Sequence, residues 1–261
     1  MVQDGVVSSG RAGELCRRYT KEDLSVFNQE EARRFLVSDS DPQKEIALAW
    51  ELLYRIEPDL YDRLVSAERI HAAVLDRLPG RVARVLEVAA GTGRLTAALI
   101  GRCDDLIAVE PAAQLRRLLA KKLAHRGRGF RLHIMPGFFD SLPVPDGWAE
   151  LVICCSALTP DPAHGGDAGL AEMERTCAAG GQVVLVWPNH QEWLAEHGYT
   201  YESFPGKMAM EFASLAEATD VAAIFYPHAV EQIRRRGSRF VPYDLLGVNP
   251  PRDLAYKEIG A

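Results

Sequence analysis

The sequence predicts an α/β protein built on a doubly wound, Rossmann-like, mostly parallel sheet of seven strands with an N-terminal helical cap. From residue 80 onward, short runs of valine, isoleucine and leucine alternate with helical segments, as in parallel sheets that are covered on both faces. A glycine-rich turn follows the first run. We therefore expect a flexible leader over residues 1–19, a helical cap over 20–79 and the sheet domain over 80–261.

The cap region carries signals for the start of helices. Thr20 and Asp23 have the spacing of a capping pair, and Asp41-Pro42 places a capping residue before a proline at the first helical position. Residues 43–56 and 62–78 then have apolar side chains every three or four positions, which predicts two helices.

The sheet domain contains strand candidates in a regular order. Helical segments separate the first five, as right-handed crossovers between parallel strands require. These five candidates span residues 84–89, 106–109, 130–135, 151–155 and 183–187. The helices between and after them are predicted to run from the glycine turn to about residue 100 and over 112–124, 214–225 and 228–236. The last two strands are predicted at 239–246 and 253–259.

Composition and charge exclude several classes of function. The formal net charge is −6, which argues against a broad nucleic-acid surface because polyphosphate binding depends on clustered Lys and Arg. None of the five cysteines forms a C-x-x-C pair, so we expect neither a disulfide framework nor a metal site. The chain lacks an apolar stretch of about 20 residues and a secretory signal. These features predict a cytoplasmic protein without a membrane partner, as a monomer or a homodimer.

The glycine turn and two acidic residues predict a ligand site. Gly91 and Gly93 lie between a strand and a helix, where a ligand can approach the backbone and meet unpaired N–H groups. Glu110 ends the next strand, about twenty residues later, where carboxylates bind ribose hydroxyls in dinucleotide folds. A dinucleotide would also need a third glycine, and Glu87 would repel its pyrophosphate. A cationic adenosyl ligand without phosphate fits better, and S-adenosylmethionine is such a ligand.

The segment from Glu87 to Gly93 resembles motif I of the class I S-adenosylmethionine-dependent methyltransferases, and the small-molecule enzymes of ubiquinone and menaquinone biosynthesis are similar in style. Residues 151–156 resemble the fourth strand of that family, and Gly180-Gly181 resembles its later glycine pair. The resemblance implies a set of residues that bind S-adenosylmethionine. This set comprises Glu87, Ala89, Ala90, Gly91, Thr92, Gly93, Glu110, Pro111, Gly137, Phe138, Phe139 and Ser156.

Three positions depart from the family pattern. One of them, Glu150 in place of the common aspartate at the start of the fourth strand, is a neutral change. Ala89 stands where the family usually has its first glycine, a mild change because alanine is small. Phe138 occupies a position where an acid often binds the adenine amino group. Adenine stacking on Phe138 or Phe139, with Asp140 or a backbone carbonyl as the polar partner, is one interpretation. Packing of both rings in the core is the other.

Methyl transfer from a sulfonium is an in-line displacement, so the enzyme mainly has to position the acceptor and exclude water. A hydroxyl acceptor also needs a base to take its proton. We expect the small-molecule acceptor at the carboxyl ends of the fourth and fifth strands, with His190 and then His164 as base candidates; each is also explained as an exposed or capping loop histidine. Aromatic residues after the fifth strand, among them Tyr199 and Tyr201, either line an apolar pocket or pack.

Three other functions remain open from the sequence. A repurposed methyltransferase fold would bind the ligand without transferring a methyl group, since a fold alone does not establish activity. A nicotinamide-dependent oxidoreductase is opposed by the missing third glycine and by Glu87. RNA or protein methylation is a further alternative, although the acidic composition disfavours RNA and the amino-group DNA methylase pattern is absent after residue 155.

Overall fold

The computed structural model describes residues 15–36, 42–124 and 130–260 of the chain. The chain divides into two compact units. One comprises Met1–Arg69 and Lys207–Pro250, and the other, which holds the main sheet, comprises Ile70–Gly206 and Pro251–Ala261. In the described ranges we find no helix with both the length and the apolarity that a membrane span needs.

The described part of the chain contains nine strands and eleven α-helices that lie wholly within it, together with short 3₁₀ helices. The strands are β1 (Val82–Val88), β2 (Cys103–Val109), β3 (Arg131–Met135), β4 (Ala149–Cys155), β5 (Cys177–Val186), β6 (Thr200–Ser203), β7 (Ala209–Glu211), β8 (Phe240–Pro242) and β9 (Asp253–Glu258). The helices are α1 (Gln29–Phe35), α2 (Pro42–Ile56), α3 (Pro58–Ala67), α4 (Ala72–Arg77), α5 (Thr96–Leu99), α6 (Ala113–Leu123), α7 (Gly166–Thr176), α8 (Gln191–Glu196), α9 (Leu215–Phe225), α10 (Val230–Arg236) and α11 (Tyr243–Leu246).

The main sheet has seven strands in the order β3-β2-β1-β4-β5-β9-β6. Strands β1 to β5 pair in parallel, and β9 runs antiparallel to both β5 and β6. The predicted Rossmann-like, mostly parallel seven-stranded sheet is therefore confirmed. The strand order reverses between β1 and β4, and ligands of open α/β sheets bind at the carboxyl ends of the strands that flank such a switch point.

The sheet is buried on both faces, which explains the continuous apolar runs in the sequence. Leu86 and Val88 of β1 contribute to an apolar cluster on one face, whereas Val85 contributes to the cluster on the other. Val85 and Leu86 are both fully buried. A strand with two buried faces needs consecutive apolar residues, because successive side chains point to opposite sides.

The division into units differs from the predicted boundary at residue 80. Val74 of α4 and Leu78 are buried in the same apolar cluster as Val85, so the sheet unit begins at Ile70. Residues 207–250, which we expected in the sheet domain, form the other unit together with the N-terminal helices. That these helices cap a ligand pocket stays a prediction.

Several predicted elements are wrong in detail. Residues 62–78 form two helices, because the chain becomes extended at Glu68 and the His71 side chain caps α4 by accepting from the Ala73 amide at 3.2 Å. Residues 239–246 are strand only over β8, which pairs with β7 rather than with the main sheet, and then continue as α11. The helix after the glycine turn is short and comprises only α5, and β6 was not predicted.

The flexible leader stays a prediction, although residues 15–19, its described part, contact other residues of the chain. Leu15 is fully buried, and the Tyr19 hydroxyl donates to the Glu57 carboxylate at 2.9 Å. Residues 1–14 of the predicted leader, and the predicted cap at Asp41, lie outside the described residues. The capping pair of Thr20 and Asp23 is present, but it begins a 3₁₀ helix, Lys21–Val26.

Candidate cofactor and acceptor site

The glycine turn joins the end of β1 to α5 and is tied to β2. The Ala90 amide donates to the carbonyl of Val109 at 3.0 Å, and the Gly93 amide closes the turn by donating to the Ala90 carbonyl at 3.0 Å. Gly93 has a φ of 92°, and a Cβ atom there would overlap the side chain of Leu119 in α6. Glycine is therefore required at this position, both for the left-handed backbone and for the close approach of α6.

Glu110 lies directly beside this turn. Its Oε2 accepts from the Gly91 amide at 2.9 Å, and its Oε1 accepts from the Ala112 amide at 2.8 Å. The side chain is buried, so these charge-assisted hydrogen bonds fix the carboxylate at the end of β2. The structure thus brings Glu110 and Gly91 together, as the sequence predicts.

A second carboxyl group, that of Glu87, is buried in β1 under the turn. It is 2% exposed, and burial raises its pKa to about 8, more than Thr96 and, to a smaller extent, Arg94 lower it. Within the part of the chain that is described, Glu87 Oε2 and the hydroxyl of Thr92 have no hydrogen-bond partner. Buried polar atoms without partners are uncommon in native proteins and commonly meet a ligand or water. A cationic group fits the Glu87 oxygen.

The three central strands end in left-handed residues that are not glycine. Ala89, Ser156 and Trp187 have φ values of 56°, 54° and 54°, and each is the first residue after β1, β4 or β5. The Ser156 amide donates to the Val186 carbonyl at 2.9 Å. A left-handed conformation in a non-glycine residue costs about 1–3 kcal/mol and occurs preferentially at functional sites. The carboxyl ends of these neighbouring strands therefore carry backbone strain of the kind found at functional sites.

In the segment after β3, the structure distinguishes Phe139 from Phe138. A Cβ atom on Gly137 would lie 2.7 Å from Val109 Cγ1, so the chain passes β2 there only because the residue is glycine. Phe139 packs against the apolar cluster that includes Leu158, which supports the packing interpretation for its ring. Phe138 is half-buried and its carbonyl accepts from Ser141, so adenine contact stays a prediction for it.

Pro111 follows Glu110 at the end of β2, where it is half-buried. Its carbonyl accepts from Arg116 Nη1 at 2.7 Å, and the carbonyl of Glu110 accepts from the same nitrogen at 2.6 Å. Arg116 therefore holds the backbone that carries the Glu110 carboxylate.

The two histidine candidates lie in loops that follow β4 and β5. His190 precedes α8 and is exposed, and its carbonyl accepts from the Leu194 amide at 3.1 Å. Desolvation of the imidazole nevertheless lowers the pKa of His190 below its ordinary value. His164 ends the 3₁₀ helix Pro162–His164, and its carbonyl accepts from the Thr159 amide at 3.2 Å. The catalytic role of both stays a prediction.

Two further features of this edge were not predicted as site residues. Arg94 follows the glycine turn, and its Nη2 lies 3.1 Å from Sγ of Cys155. Asp253 lies beside the end of β5, since its carbonyl accepts from the Trp187 amide at 2.9 Å, and its Oδ2 accepts from the Tyr201 hydroxyl at 2.8 Å. The adjacency of Arg94 to Gly93 in sequence could have indicated its position. The position of Asp253 could not have been indicated in this way. Asp253 is distant in sequence from the end of β5, and its partner Tyr201 lies in β6, a strand without an apolar run.

Sequence comparison supports a methyltransferase domain in this part of the chain. Residues 85–181 match the family described as methyltransferase domain. An uncharacterised methyltransferase of Mycobacterium bovis is 30% identical over 125 residues, which are 46% of this chain and 47% of the relative. Another, from Geobacillus thermodenitrificans, is 31% identical over 125 residues, which are 48% and 54% of the two chains. The match thus spans about half the length of these relatives.

Structural comparison finds the YcgJ protein of Bacillus subtilis with a TM-score of 0.48 and 13% identity, over 73% of this chain and 97% of that one. The subgroup of ubiquinone and menaquinone biosynthesis stays a prediction. Residues 85–181, which hold the glycine turn, Glu110 and all of β4, are similar in sequence to a methyltransferase domain.

Proposed function

We propose that the chain is an S-adenosylmethionine-dependent methyltransferase that acts on a small-molecule acceptor. The observation that carries the proposal is the 2.9 Å hydrogen bond from the Gly91 amide to Glu110, which joins the turn after β1 to the carboxylate after β2. This pair lies beside the switch point of the sheet, where adenosyl ligands bind in related folds. The match of residues 85–181 to a methyltransferase domain supports it independently.

The residues around the turn fit an adenosyl sulfonium better than a dinucleotide. Glu87 offers a buried carboxyl oxygen that lacks a partner among the described residues, and such an oxygen attracts a cationic group. In its ionised form, which a nearby cation favours, the same carboxyl group would repel a pyrophosphate. Gly93 lets the backbone approach α6 closely, and Glu110 is fixed for contact with ribose hydroxyls.

When bound, S-adenosylmethionine supplies a methyl group on a positively charged sulfur. The chain's own residues then bind and orient the cofactor and the acceptor. Glu110 and the glycine turn hold the nucleoside, and Glu87 faces the cationic end. His190, whose lowered pKa leaves it mostly neutral at pH 7, is placed after β5 to accept a proton from a hydroxyl or amine acceptor. Ser156 and Trp187 shape the edge of the sheet between these groups.

The acceptor class is inferred from charge. A net charge of −6 gives little electrostatic attraction for nucleic acid, so a small molecule is the better acceptor. This reasoning also favours a protein that acts without a nucleic-acid partner.

Isothermal titration tests the proposal directly. We expect S-adenosylmethionine and S-adenosylhomocysteine to bind with micromolar dissociation constants, and Glu110→Ala to weaken both by about 10- to 100-fold, because a charged hydrogen-bonding group is lost. Asp104→Ala, an exposed position near the amino end of β2, is the matched control and should leave affinity unchanged.

Two outcomes would redirect the proposal. Binding of NADH with no binding of either sulfur ligand would indicate an oxidoreductase. Binding of S-adenosylmethionine without transfer of a radiolabelled methyl group to any member of a phenol, amine and carboxylic acid panel would indicate a repurposed, non-catalytic fold.

A further inference from the structure

Asp253 is a buried carboxyl group at the carboxyl edge of the main sheet. It is the first residue of β9, and its carbonyl accepts from the Trp187 amide at 2.9 Å, so it lies beside the residue that follows β5. Trp187 is one of the left-handed residues at the ends of the central strands. Asp253 is only 7% exposed. The sheet thus places an acidic side chain next to the end of β5, at the edge where ligands of open α/β sheets bind.

One oxygen of this carboxyl group has a hydrogen-bond partner and the other does not. The Tyr201 hydroxyl donates to Oδ2 at 2.8 Å. Oδ1 of Asp253 is buried and has no hydrogen-bond partner within the described ranges. Burial and the nearby Asp253 raise the pKa of Tyr201 to about 12, so the phenol keeps its proton at neutral pH. A phenol has a single proton to donate, so Tyr201 cannot serve both oxygens.

The neighbouring cation does not supply the missing donor. Arg252 lowers the pKa of Asp253, but its Nη1 donates to the Gly206 carbonyl at 2.9 Å. Burial raises the pKa of Asp253 more than Tyr201 and Arg252 lower it. The carboxyl group has therefore lost its contact with water and gained too few donors in exchange. A buried polar atom in this condition commonly meets a ligand or an ordered water.

The surroundings of Asp253 indicate the kind of ligand. Ala255 lies two residues further along β9, hence on the same face, and belongs to the apolar cluster of that face. Tyr201, the partner of Asp253, is 39% exposed, and His190 follows Trp187 by three residues. All of these residues lie in the sheet unit. A ligand here meets an apolar surface and one unpaired acceptor, which suits an apolar molecule with a hydroxyl or amine group.

We propose that Asp253 is an acceptor-binding residue that selects methyl acceptors with an O–H or N–H donor, which donates to Oδ1. The inference rests on the proposed function. Hydroxyl and amine acceptors share this donor chemistry, and the experiment separates them. An ordered water on Oδ1 is the competing occupant, and it would give no selection among acceptors.

The experiment uses uncharged probes in pairs that differ in the donor. Phenol is paired with anisole, and aniline with N,N-dimethylaniline; only the first member of each pair can donate. Dissociation constants are measured by saturation-transfer NMR on the full chain saturated with S-adenosylhomocysteine. The same measurements are made on Asp253→Asn, on Asp253→Ala and on the control Glu258→Gln, an exposed position at the other end of β9.

We expect the donor-bearing member of at least one pair to bind about 10- to 100-fold more tightly than its partner, as a hydrogen bond to a charged group provides. Asp253→Asn, which leaves a neutral amide, should reduce this preference, and Asp253→Ala should abolish it. Glu258→Gln should not change it. Affinity for S-adenosylhomocysteine should be the same in all four proteins, which shows that the variants fold. A preference in the phenol pair alone indicates a hydroxyl acceptor, and in the aniline pair alone an amine acceptor.

Three outcomes would overturn the inference. The first is equal binding, or no binding, of both members of each pair to the unaltered chain. The second is a preference that survives Asp253→Ala. The third is loss of S-adenosylhomocysteine binding in both variants, because Asp253 would then support the fold rather than the acceptor. Failure of the unaltered chain to bind S-adenosylhomocysteine is a different result, since it would remove the proposed function itself.

Discussion

Glu87 is an ionisable group on a strand whose neighbouring side chains are apolar. Burial raises its pKa to about 8, whereas an unfolded chain has a glutamate pKa of about 4.3. Between these values the folded state binds more protons than the unfolded state, so the free energy of unfolding falls as pH rises. The loss of stability caused by Glu87 is absent below the pKa of the unfolded state and complete above the pKa of the folded state.

Glu87→Gln should therefore remove a pH-dependent loss of stability. We expect the variant to have the higher free energy of unfolding, and its advantage over the unaltered chain should grow by roughly a few kcal/mol from pH 5 to pH 8. Urea unfolding across this range measures it. Glu258→Gln, an exposed position at the end of β9, should give a curve parallel to that of the unaltered chain. Parallel curves for Glu87→Gln would mean that Glu87 is ionised in the folded protein.

His190 carries the prediction about proton transfer. Desolvation lowers its pKa, so the neutral imidazole persists to a lower pH than an ordinary histidine allows. If it accepts the proton of the methyl acceptor, kcat/KM falls on the acid side of a pKa below 6.5, and His190→Gln lowers kcat/KM at pH 7 by about 100-fold. His133→Gln, an exposed position on β3, is the control. Undiminished turnover in His190→Gln would mean that His190 is a loop residue without a part in proton transfer.

At the scale of the elements, the carboxyl edge stores strain where neighbouring strands end. Ala89 holds a φ of 56°, which costs an L-amino acid about 1–2 kcal/mol that glycine avoids. Glycine also loses more entropy on folding, by about 0.5–1 kcal/mol. Ala89→Gly should thus raise the free energy of unfolding by about 0.5–1 kcal/mol in urea. Ala98→Gly, in the short helix α5, should lower it by about the same amount, and a loss at both positions would contradict the strain at Ala89.

The same elements show what the sequence could predict. Strands β1, β2, β4 and β5 have continuous apolar runs because both faces of the sheet are buried, so periodicity identifies them. Strand β6 reads Thr-Tyr-Glu-Ser at the sheet edge, where one side lacks a partner strand and exposed residues suffice. Residues 239–246 have the apolar content of a strand, yet Gly247 is left-handed and ends a helical turn there. Local pattern does not distinguish these outcomes.

The candidate site was predictable in part for a related reason. The glycine turn and Glu110 lie about twenty residues apart on adjacent parallel strands, so their contact follows from a local motif. The Arg94 contact with Cys155 and the Tyr201 contact with Asp253 join elements that are far apart in sequence. Those contacts depend on the full strand order, and periodicity carries no information about it.

At the scale of the whole molecule, the chain leaves the sheet unit after Gly206 and returns at Pro251. These two points are neighbours in the structure. The Phe204 amide donates to the Arg252 carbonyl at 2.9 Å, and Arg252 Nη1 donates to the Gly206 carbonyl at 2.9 Å. A sequence reading that treats residues 80–261 as one domain misses this excursion, because 207–250 contains helices as regular as those of the sheet unit.

This connectivity leads to a prediction about independent folding. All the residues of the glycine turn, together with Glu87 and Glu110, lie in the sheet unit, which has its own apolar clusters on both faces. A chain of residues 70–206 joined by a short glycine–serine linker to 251–261 should therefore fold, because the linker replaces an excursion whose ends are already adjacent. Its affinity for S-adenosylhomocysteine should lie within about tenfold of that of the full chain.

Circular dichroism and isothermal titration measure the two parts of this prediction separately. Glu110→Ala introduced into the shortened chain should abolish or strongly weaken binding, which ties any retained affinity to the glycine turn rather than to a new surface. A shortened chain that folds cooperatively but fails to bind would show that the ligand site needs residues from outside the sheet unit. A chain that does not fold would show that the apolar clusters of the sheet unit are not sufficient by themselves, since the hydrophobic burial of a compact unit must outweigh its conformational entropy.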